Sequence, residues 1–195
     1  DPAAAARDAD VIFLCVGTPT GPGGMPDMSQ VETAAHSVAP YLKERAVVVN
    51  KSTVPVGSGN WVRTMIEEAQ PGRDAPLFQV VSNPEFLREG AALEDFLYPD
   101  RIVLGGENGD SGVQIVASLY ERVLTQDFPG GRADHKPGLV LTDLPSAEMV
   151  KYAANAFLAT KFSFANEIAN ICELVGADAR QVLPAIGADT RIGPK

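Results

Sequence analysis

Residues 146–176 read SAEMVKYAANAFLATKFSFANEIANICELVG, without proline and without glycine before Gly176. Apolar residues recur at helical spacing along this stretch, which predicts an amphipathic helix with a broad apolar face. Ser146 is expected to cap its start and Gly176 to end it. A helix of about 30 residues is about 45 Å long, against a usual length of about 11–12 residues. Such a helix joins two parts of a molecule or packs against a second copy of itself.

The N-terminal turns of this predicted helix carry polar residues. Glu148 falls in the first turn, where the helix dipole favours an anion. Lys151 and Asn155 are four residues apart and therefore share one face. Two interpretations remain open from the spacing alone: the pair points to solvent, or it lines a site at the N-terminal end of the helix.

Composition limits the classes of partner. The chain has 195 residues, 45% hydrophobic and 21% charged, with a net charge of −9. The negative charge argues against nucleic acid or an anionic membrane as the main partner, and no apolar run is long enough for a membrane-spanning helix.

Cys15 and Cys172 lie in apolar runs, so both thiols are expected to be buried. Neither a disulfide framework nor a metal site is predicted. Because the chain starts at Asp1 without a methionine, we expect it to be an excised piece of a longer protein.

Upstream of the helix, apolar runs alternate with helical patterns. This alternation predicts an α/β fold with a mostly parallel, Rossmann-like sheet, followed by the long helix. No GxGxxG fingerprint is present, so the sheet is expected to lack its first βαβ unit. The predicted strands are residues 10–16, 46–50, 77–82, 101–105 and 139–142, and the predicted helices are residues 29–42 (with a capping box from Ser29 to Glu32), 58–69, 91–96, 111–124 and 179–186.

Three polar segments follow the first three strands: Gly17-Thr18-Pro19, Lys51-Ser52-Thr53 and Asn83-Pro84-Glu85. Parallel α/β sheets bind ligands at the carboxyl ends of their strands. The sequence therefore predicts a functional site where these segments meet.

The segment from Asn83 to Gly90, NPEFLREG, has two interpretations. In the structural one, Asn83 caps a helix, Pro84 takes the first helical position and Glu85 favours the dipole, while Glu89 is solvated. In the functional one, Glu85 and Glu89 share a face, and a carboxylate there acts as a general base or positions a water.

Two other segments imitate phosphate-binding motifs. Residues 51–53 resemble the end of a phosphate-binding loop, but both glycines of that motif are absent and Pro55 follows. The glycines from Gly105 to Gly112 are interspersed with Glu107 and Asp110, which would repel a phosphate, so a surface turn is expected.

Five segments together resemble the nucleotide-sugar dehydrogenases, the UDP-glucose/GDP-mannose dehydrogenase family, over essentially the whole chain. The KSTVPVG segment favours the UDP-glucose branch over the GDP-mannose and UDP-N-acetylmannosamine branches. The segments are CVGTPT (15–20), NKSTVPVG (50–57), NPEFLREGAALEDFLYPDRIVLG (83–105), SAEMVKYAANAFLATKFSFANEIANICE (146–173) and IGADTRIGPK (186–195).

The resemblance implies a reaction and catalytic residues. The family oxidises the C6 alcohol of the sugar to a carboxylate in two hydride transfers to NAD, through a cysteine thioester. By motif, Glu85 is implied to act as a base through a water, chiefly in thioester hydrolysis, and Thr53 to share that water. Lys151 and Asn155 are implied to hydrogen-bond the C6 oxygen.

The resemblance also implies binding residues. The substrate, a UDP-sugar, would be held by the backbone of Glu85, Phe86, Leu87, Arg88 and Glu89, with Lys151 and Asn155. The cofactor NAD would contact Thr18, Ser52, Thr53 and Glu89.

The implied organisation is the C-terminal part of an NAD-binding domain at residues 1–142 and a central helical domain at residues 143–195. The resemblance further implies a homodimer through the helix of residues 146–175 and a cytoplasmic location.

The family's glycine fingerprint, catalytic cysteine and UDP-binding domain are not found in the sequence. The isolated chain is therefore expected to be inactive, and NADH production from UDP-glucose above a blank would contradict this. Two alternatives remain: the same chemistry on GDP-mannose or UDP-N-acetylmannosamine, and a truncated, non-catalytic dimerising module.

Overall fold

The computed structural model describes residues 2–70, 78–107 and 111–193. The chain divides into two compact units, Asp1–Lys151 and Tyr152–Lys195, and the expected domain boundary at residues 142/143 stays a prediction. The strands are β1 (Val11–Leu14), β2 (Ala46–Asn50), β3 (Phe78–Ser82), β4 (Arg101–Gly105) and β5 (Gly138–Thr142). The helices are α1 (Pro2–Ala6), α2 (Ser29–Val38), α3 (Ser58–Glu68), α4 (Ala92–Leu97), α5 (Ser111–Leu119), α6 (Glu121–Thr125), α7 (Leu144–Val175) and α8 (Ala179–Gly187), with 3-10 turns at Pro22–Gly24 and Ala39–Tyr41.

The sheet of the first unit has the strand order β1-β2-β3-β4-β5. The pairs β1–β2, β2–β3 and β4–β5 are parallel. The β3–β4 pair is antiparallel and consists of the single residue pair Ser82 and Gly105, the last residues of the two strands. The prediction of a mostly parallel, Rossmann-like sheet followed by a long helix is thus confirmed, and the carboxyl ends of β3 and β4 meet.

The core lies on both faces of this sheet. All five residues of β2 are buried, because its continuous apolar run faces a packed layer on either side. Val48 and Val80 pack with Val62 and Ile66 of α3 in one cluster. On the other face, a cluster around Val47 includes Val113 and Val116 of α5. Each such valine contributes about 1.5–3 kcal/mol through burial.

The start of α7 is packed tightly against the end of β4. Leu144 and Ala147 are buried. A Cβ added to Gly105 would lie 2.5 Å from both the Ala147 Cβ and the Asp143 carbonyl oxygen. Since real Cβ atoms do not approach so closely, only glycine permits this contact, which fixes the first turns of α7 on the sheet.

Two predicted helix caps are wrong, and in both an aspartate takes the role. Helix α7 begins at Leu144, because the Asp143 carboxylate accepts a hydrogen bond from the Ser146 N–H at 2.7 Å. The Ser29 N–H likewise donates to Asp27 at 2.9 Å instead of Ser29 forming a capping box. These hydrogen bonds lower the pKa of the Asp143 and Asp27 carboxyls. Gly176, with φ of 75°, follows the end of α7 as predicted.

One predicted helix is divided. The stretch predicted as one helix over residues 111–124 forms α5 and α6, which are separated at Tyr120. The Tyr120 side chain is buried at this break, and its hydroxyl is used in the site described below.

The second unit contains the later turns of α7 and helix α8. Asp178 caps α8 by accepting a hydrogen bond from the Arg180 N–H at 2.9 Å. Several large apolar side chains of α7 are exposed in this unit: Phe157, Leu158, Phe162, Phe164, Ile171, Leu174 and Val175. Among the described residues, no helix has both the length and the apolar character that a bilayer crossing needs.

Candidate active site

The segments after β1 and β2 are joined by hydroxyl side chains. The Ser52 hydroxyl accepts from the Val16 N–H at 2.9 Å and donates to the Val16 carbonyl at 2.7 Å. The Thr18 hydroxyl donates to the Thr53 carbonyl at 2.7 Å. Thr53 is half-buried, and its own hydroxyl has no hydrogen-bond partner among the described residues. Ser52 and Thr18 therefore shape the edge of the sheet, while the Thr53 hydroxyl remains available to a water or a ligand.

The segment after β3, from Asn83 to Arg88, is neither helix nor strand. The interpretation of Asn83 as a helix cap is therefore wrong, and Glu85 and Glu89 do not share a helical face. Asn83 is 2% exposed; its N–H donates to the Asn50 carbonyl at 2.9 Å and its Nδ2 to the Val103 carbonyl at 3.0 Å. These tertiary hydrogen bonds replace the local helix-capping pattern, and they hold the segment at the junction of β2, β3 and β4.

Glu85 and Lys151 form an ion pair at this edge. The Lys151 Nζ lies 3.2 Å from Glu85 Oε1, and Glu85 Oε2 accepts from the Leu87 N–H at 2.6 Å. Lys151 is 8% exposed, so the interpretation that placed the pair of Lys151 and Asn155 in solvent is wrong for Lys151. A largely desolvated ammonium beside a carboxylate retains donors for a third group, since an ammonium has three donors and a carboxylate about four lone-pair sites.

Two cations lie close to the Phe86 ring. The Arg101 guanidinium lies 3.9 Å from the centre of the Phe86 ring, and the Lys151 Nζ lies 5.4 Å from it. Cation–π contacts of this kind orient the ring and, with it, the backbone on either side.

The rest of the segment is exposed. Leu87, Arg88 and Glu89 face solvent. The Arg88 guanidinium pairs with Asp95 of α4 at 2.6 Å, and its N–H donates to the same carboxylate at 2.7 Å. Hydrogen bonds from Arg88 lower the pKa of the Asp95 carboxyl. The segment is thus fixed at both ends, with exposed backbone between them.

Residues 1–124 match the NAD-binding domain of the UDP-glucose/GDP-mannose dehydrogenase family, and residues 145–195 match the central domain of that family. The chain belongs to the UDP-glucose/GDP-mannose dehydrogenase family. This assignment confirms the predicted family, and its NAD-binding domain confirms NAD as the cofactor. The roles of individual residues stay predictions.

Named relatives agree with the family. The UDP-glucose 6-dehydrogenase TuaD of Bacillus subtilis is 47% identical over 191 residues, which are 98% of this chain and 38% of the relative. The structure of a UDP-glucose dehydrogenase from Pyrobaculum islandicum is 37% identical with a TM-score of 0.86, over 100% of this chain and 42% of that one. A GDP-mannose dehydrogenase structure from Pseudomonas aeruginosa is 34% identical with a TM-score of 0.81, over 97% and 41%. The chain thus spans about two fifths of the length of these proteins.

Asn155 lies one helical turn after Lys151 on the unbroken helix α7. It belongs to the second compact unit, and its side chain is exposed. The expectation that it shares a helical face with Lys151 follows from this continuity, and its contact with substrate stays a prediction.

One thiol differs from expectation. Cys172 is buried, as predicted, but Cys15 is exposed. The reason is that β1 ends at Leu14, so Cys15 already lies beyond the strand at the carboxyl edge of the sheet.

Lys51 belongs to one of the three segments where the sequence predicts the site, but the sequence assigned it no role of its own. Its Nζ donates to Asn83 Oδ1 at 3.2 Å and to the Tyr120 hydroxyl at 3.4 Å, and the Tyr120 hydroxyl donates to Asn83 Oδ1 at 2.6 Å. Desolvation lowers the pKa of the Lys51 ammonium; Cys15 and Glu85 act against this, and Lys151 adds to it. The available signal was the position of Lys51 at the end of a buried strand, directly before Ser52 and Thr53.

The partly buried Lys51 ammonium predicts a pH dependence of stability. The pKa of Lys51 is lowered in the folded protein, from an ordinary value of 10.5. Between the lowered Lys51 pKa of the folded protein and the ordinary Lys51 pKa of the unfolded chain, the unfolded chain binds more protons. The free energy of unfolding therefore rises with pH through this window. Lys51→Met is expected to remove that rise, as measured by urea denaturation across pH 7–10.5 (a range chosen to span about the ordinary Lys pKa).

The comparison of wild type with Lys51→Met is read below pH 10, because the Tyr120 hydroxyl, which Lys51 contacts, also contributes above that pH. Burial raises the pKa of Tyr120 from 10.0 to about 12, an effect that lowers stability only above pH 10. Parallel stability curves for the two proteins would show that Lys51 does not titrate in a desolvated site.

Glu148 was predicted only as an anion near the dipole of its own helix, but it contacts a different helix. The carboxylate is 2% exposed and accepts from the Gly57 N–H at 2.6 Å and the Gly59 N–H at 2.7 Å, at the start of α3. Burial raises the pKa of the Glu148 carboxyl above its ordinary value, and the two N–H donors act against that rise. Its position three residues before Lys151, on the same helical face, was the signal available in the sequence.

Proposed function

We propose that this chain forms the NAD-binding edge and part of the active site of a UDP-glucose 6-dehydrogenase, which oxidises UDP-glucose to UDP-glucuronate. The observation that carries the proposal is the Glu85–Lys151 ion pair at 3.2 Å. It joins two distant segments of the chain, residues 83–87 (NPEFL) and residues 151–155 (KYAAN). They meet at the edge where α/β sheets bind ligands. The identity of 47% to a protein named UDP-glucose 6-dehydrogenase supports the choice of sugar.

The residues at the edge suit NAD. The backbone from Cys15 to Pro19 is largely exposed at the end of β1, next to the unpartnered Thr53 hydroxyl. The Thr18 and Ser52 hydroxyls fix this backbone through their contacts with Thr53 and Val16. NAD, when bound, accepts hydride from the C6 carbon of the sugar. Thr18, Ser52, Thr53 and Glu89 are the proposed cofactor contacts.

Lys151 has the principal electrostatic role in this proposal. Its ammonium donates a hydrogen bond to the C6 oxygen, and Asn155 one turn later donates a second. As negative charge develops on this oxygen, a preorganised cation in a desolvated position stabilises it more than water does. The exposed backbone from Glu85 to Glu89 holds the sugar in place.

Glu85 is the proposed base. Its carboxylate keeps free lone pairs beside its contacts with Lys151 and the Leu87 N–H. It takes a proton from a water that the Thr53 hydroxyl also binds, so that this water attacks the C6 carbonyl of the thioester and the cysteine sulfur leaves. The cysteine is implied by the family and is not assigned to Cys15 or Cys172.

A substrate panel tests the proposal. A full-length protein carrying this chain is assayed for NADH formation with UDP-glucose, GDP-mannose and UDP-N-acetylmannosamine. The highest kcat/KM is expected for UDP-glucose, with two NADH formed for each sugar oxidised. A higher kcat/KM for either other sugar would reassign the substrate, and no NADH from any of the three would contradict the enzymatic function.

We further propose that α7 forms a homodimer interface and that the enzyme works in the cytoplasm. Phe157, Phe162 and Leu174 are 65%, 69% and 87% exposed, and apolar surface of this extent is typical of an interface. Light scattering of the full-length protein is expected to give at least twice the mass of one chain. The mass of a single chain would contradict the interface.

A further inference from the structure

We propose that Glu148 is a positioning residue for the reaction: its carboxylate fixes the Thr53 loop, residues 51–57, to the turn of α7 that carries Lys151. The inference rests on the proposed function, because it assigns Glu148 a task in the same site. Glu148 is not one of the residues to which the family resemblance gave a role.

The first observation is the geometry of the carboxylate. Both oxygens are used, Oε2 by the Gly57 N–H at 2.6 Å and Oε1 by the Gly59 N–H at 2.7 Å. These are short, charge-assisted hydrogen bonds, and they span 91 and 89 positions of the sequence. Because Glu148 is 2% exposed, water does not compete for either donor.

The second observation is that α3 has no cap of its own. The residue before the helix is Gly57, with φ of 98° and no side chain to accept a hydrogen bond. The first N–H groups of a helix need an acceptor, and Glu148 supplies it from another helix. A Cβ added to Gly59 would lie 3.2 Å from Glu148 Oε1 and 3.1 Å from Leu144 Cδ2. A side chain at Gly59 would therefore push the carboxylate and the start of α7 away.

The third observation is what lies on each side of the carboxylate. The Thr53 loop runs from the end of β2 into Gly57, and its other side is held by the hydrogen bond from Thr18 to the Thr53 carbonyl. Lys151 follows Glu148 by three residues on α7, so the two share a helical face. A displacement of the Glu148 carboxylate therefore changes the position of the Thr53 hydroxyl relative to the Lys151 ammonium.

Two substitutions near the start of α7 separate positioning from simple stabilisation. Glu148→Gln keeps the size of the side chain but replaces one acceptor by an NH2 group that faces an N–H. Asp143→Asn is the matched control, since it makes the same carboxylate-to-amide change at a side chain that accepts its hydrogen bond from Ser146 of α7 itself. Both variants are made in a full-length protein carrying this chain and assayed well below their unfolding temperatures.

Glu148→Gln is expected to lower kcat by about 10²-fold, the cost of a displacement near 1 Å, with KM for the sugar nucleotide changed less than about threefold. Asp143→Asn is expected to leave kcat and KM within about threefold. Hydrogen exchange of the peptide covering residues 52–59 is expected to accelerate in Glu148→Gln alone. Equal kcat values for the two variants, or unchanged exchange in residues 52–59, would overturn the proposal.

Two further arms keep the result interpretable. If Glu148→Gln does not fold, Glu148→Asp replaces it, because the shorter carboxylate keeps its charge but reaches only one of the two N–H groups; kcat equal to wild type would then overturn the proposal. If wild type oxidises none of the three sugars, the proposed function fails. The exchange of residues 52–59 is measured without substrate and still decides whether Glu148 holds the Thr53 loop.

Discussion

Lys151→Ala is expected to lower kcat/KM by about 10²–10³-fold, the usual cost of removing a donor to a developing oxyanion. The reason is the position of the ammonium, which is 8% exposed and lies 3.2 Å from Glu85. The effect is expected mainly in kcat, since the charge on the C6 oxygen develops only as the reaction proceeds. The measurement is steady-state NADH formation with saturating NAD and varied UDP-glucose.

The effect of Lys151→Ala on stability is expected to be small by comparison, about 1–2 kcal/mol in the free energy of unfolding. The Glu85 side chain that loses its partner is 27% exposed, so water solvates part of its charge. Lys151→Met serves as a control that keeps the aliphatic stem, and the same kinetic loss is expected with less destabilisation. A loss of several kcal/mol with nearly wild-type turnover would instead make Lys151 a structural residue.

Glu85→Gln is expected to lower kcat by about 10²–10⁴-fold, the range for a general base. Glutamine still accepts from the Leu87 N–H but takes up no proton, and its NH2 group faces the Lys151 ammonium. Because Glu85 is proposed to act chiefly in thioester hydrolysis, a rapid initial formation of NADH is expected before a slow steady state. Rapid-mixing absorbance at 340 nm, an ordinary NADH assay wavelength, follows both phases.

The control for Glu85→Gln is Glu94→Gln. Glu94 is an exposed carboxylate of α4 that pairs with Arg132 at 2.6 Å, and it has no part in the proposed site. Its substitution is expected to leave both phases unchanged. Similar kinetics for the two variants, or a steady-state rate of Glu85→Gln close to wild type, would exclude Glu85 as the base.

Most of the architecture follows from local sequence patterns. The valine run of β2 predicts a strand covered on both faces, and it is fully buried. Polar residues directly after the strands predict where the site lies, because the carboxyl edge of a parallel sheet gathers them. The face shared by Lys151 and Asn155 follows from helical spacing, since α7 is unbroken through both positions.

The features that sequence reasoning missed depend on contacts between distant residues. Asn83-Pro84-Glu85 satisfies every local rule for a helix start, yet Asn83 is held in a non-helical segment by hydrogen bonds with Val103 and Tyr120. Lys51 stands in one of the predicted site segments, but the sequence did not show that its ammonium completes the same network with Asn83 and Tyr120.

The helix caps also divide into those set by neighbouring residues and one set by a distant residue. Asp143 and Asp27 lie within three residues of the N–H groups that they accept from, so a closer comparison of competing local caps would have found them. Glu148 caps α3 from about 90 positions away, and no local pattern contains that information.

The central claim is that the C6 carbon of the sugar reacts beside Thr53, Glu85 and Lys151, at the carboxyl edge of the sheet. A crystal structure of a full-length protein carrying this chain, with UDP-glucose bound, tests it most directly. We predict the C6 oxygen within hydrogen-bond distance, about 3 Å, of the Lys151 Nζ. A bound sugar whose C6 oxygen lies away from Lys151 and Glu85, with these two side chains still paired only to each other, would contradict the account.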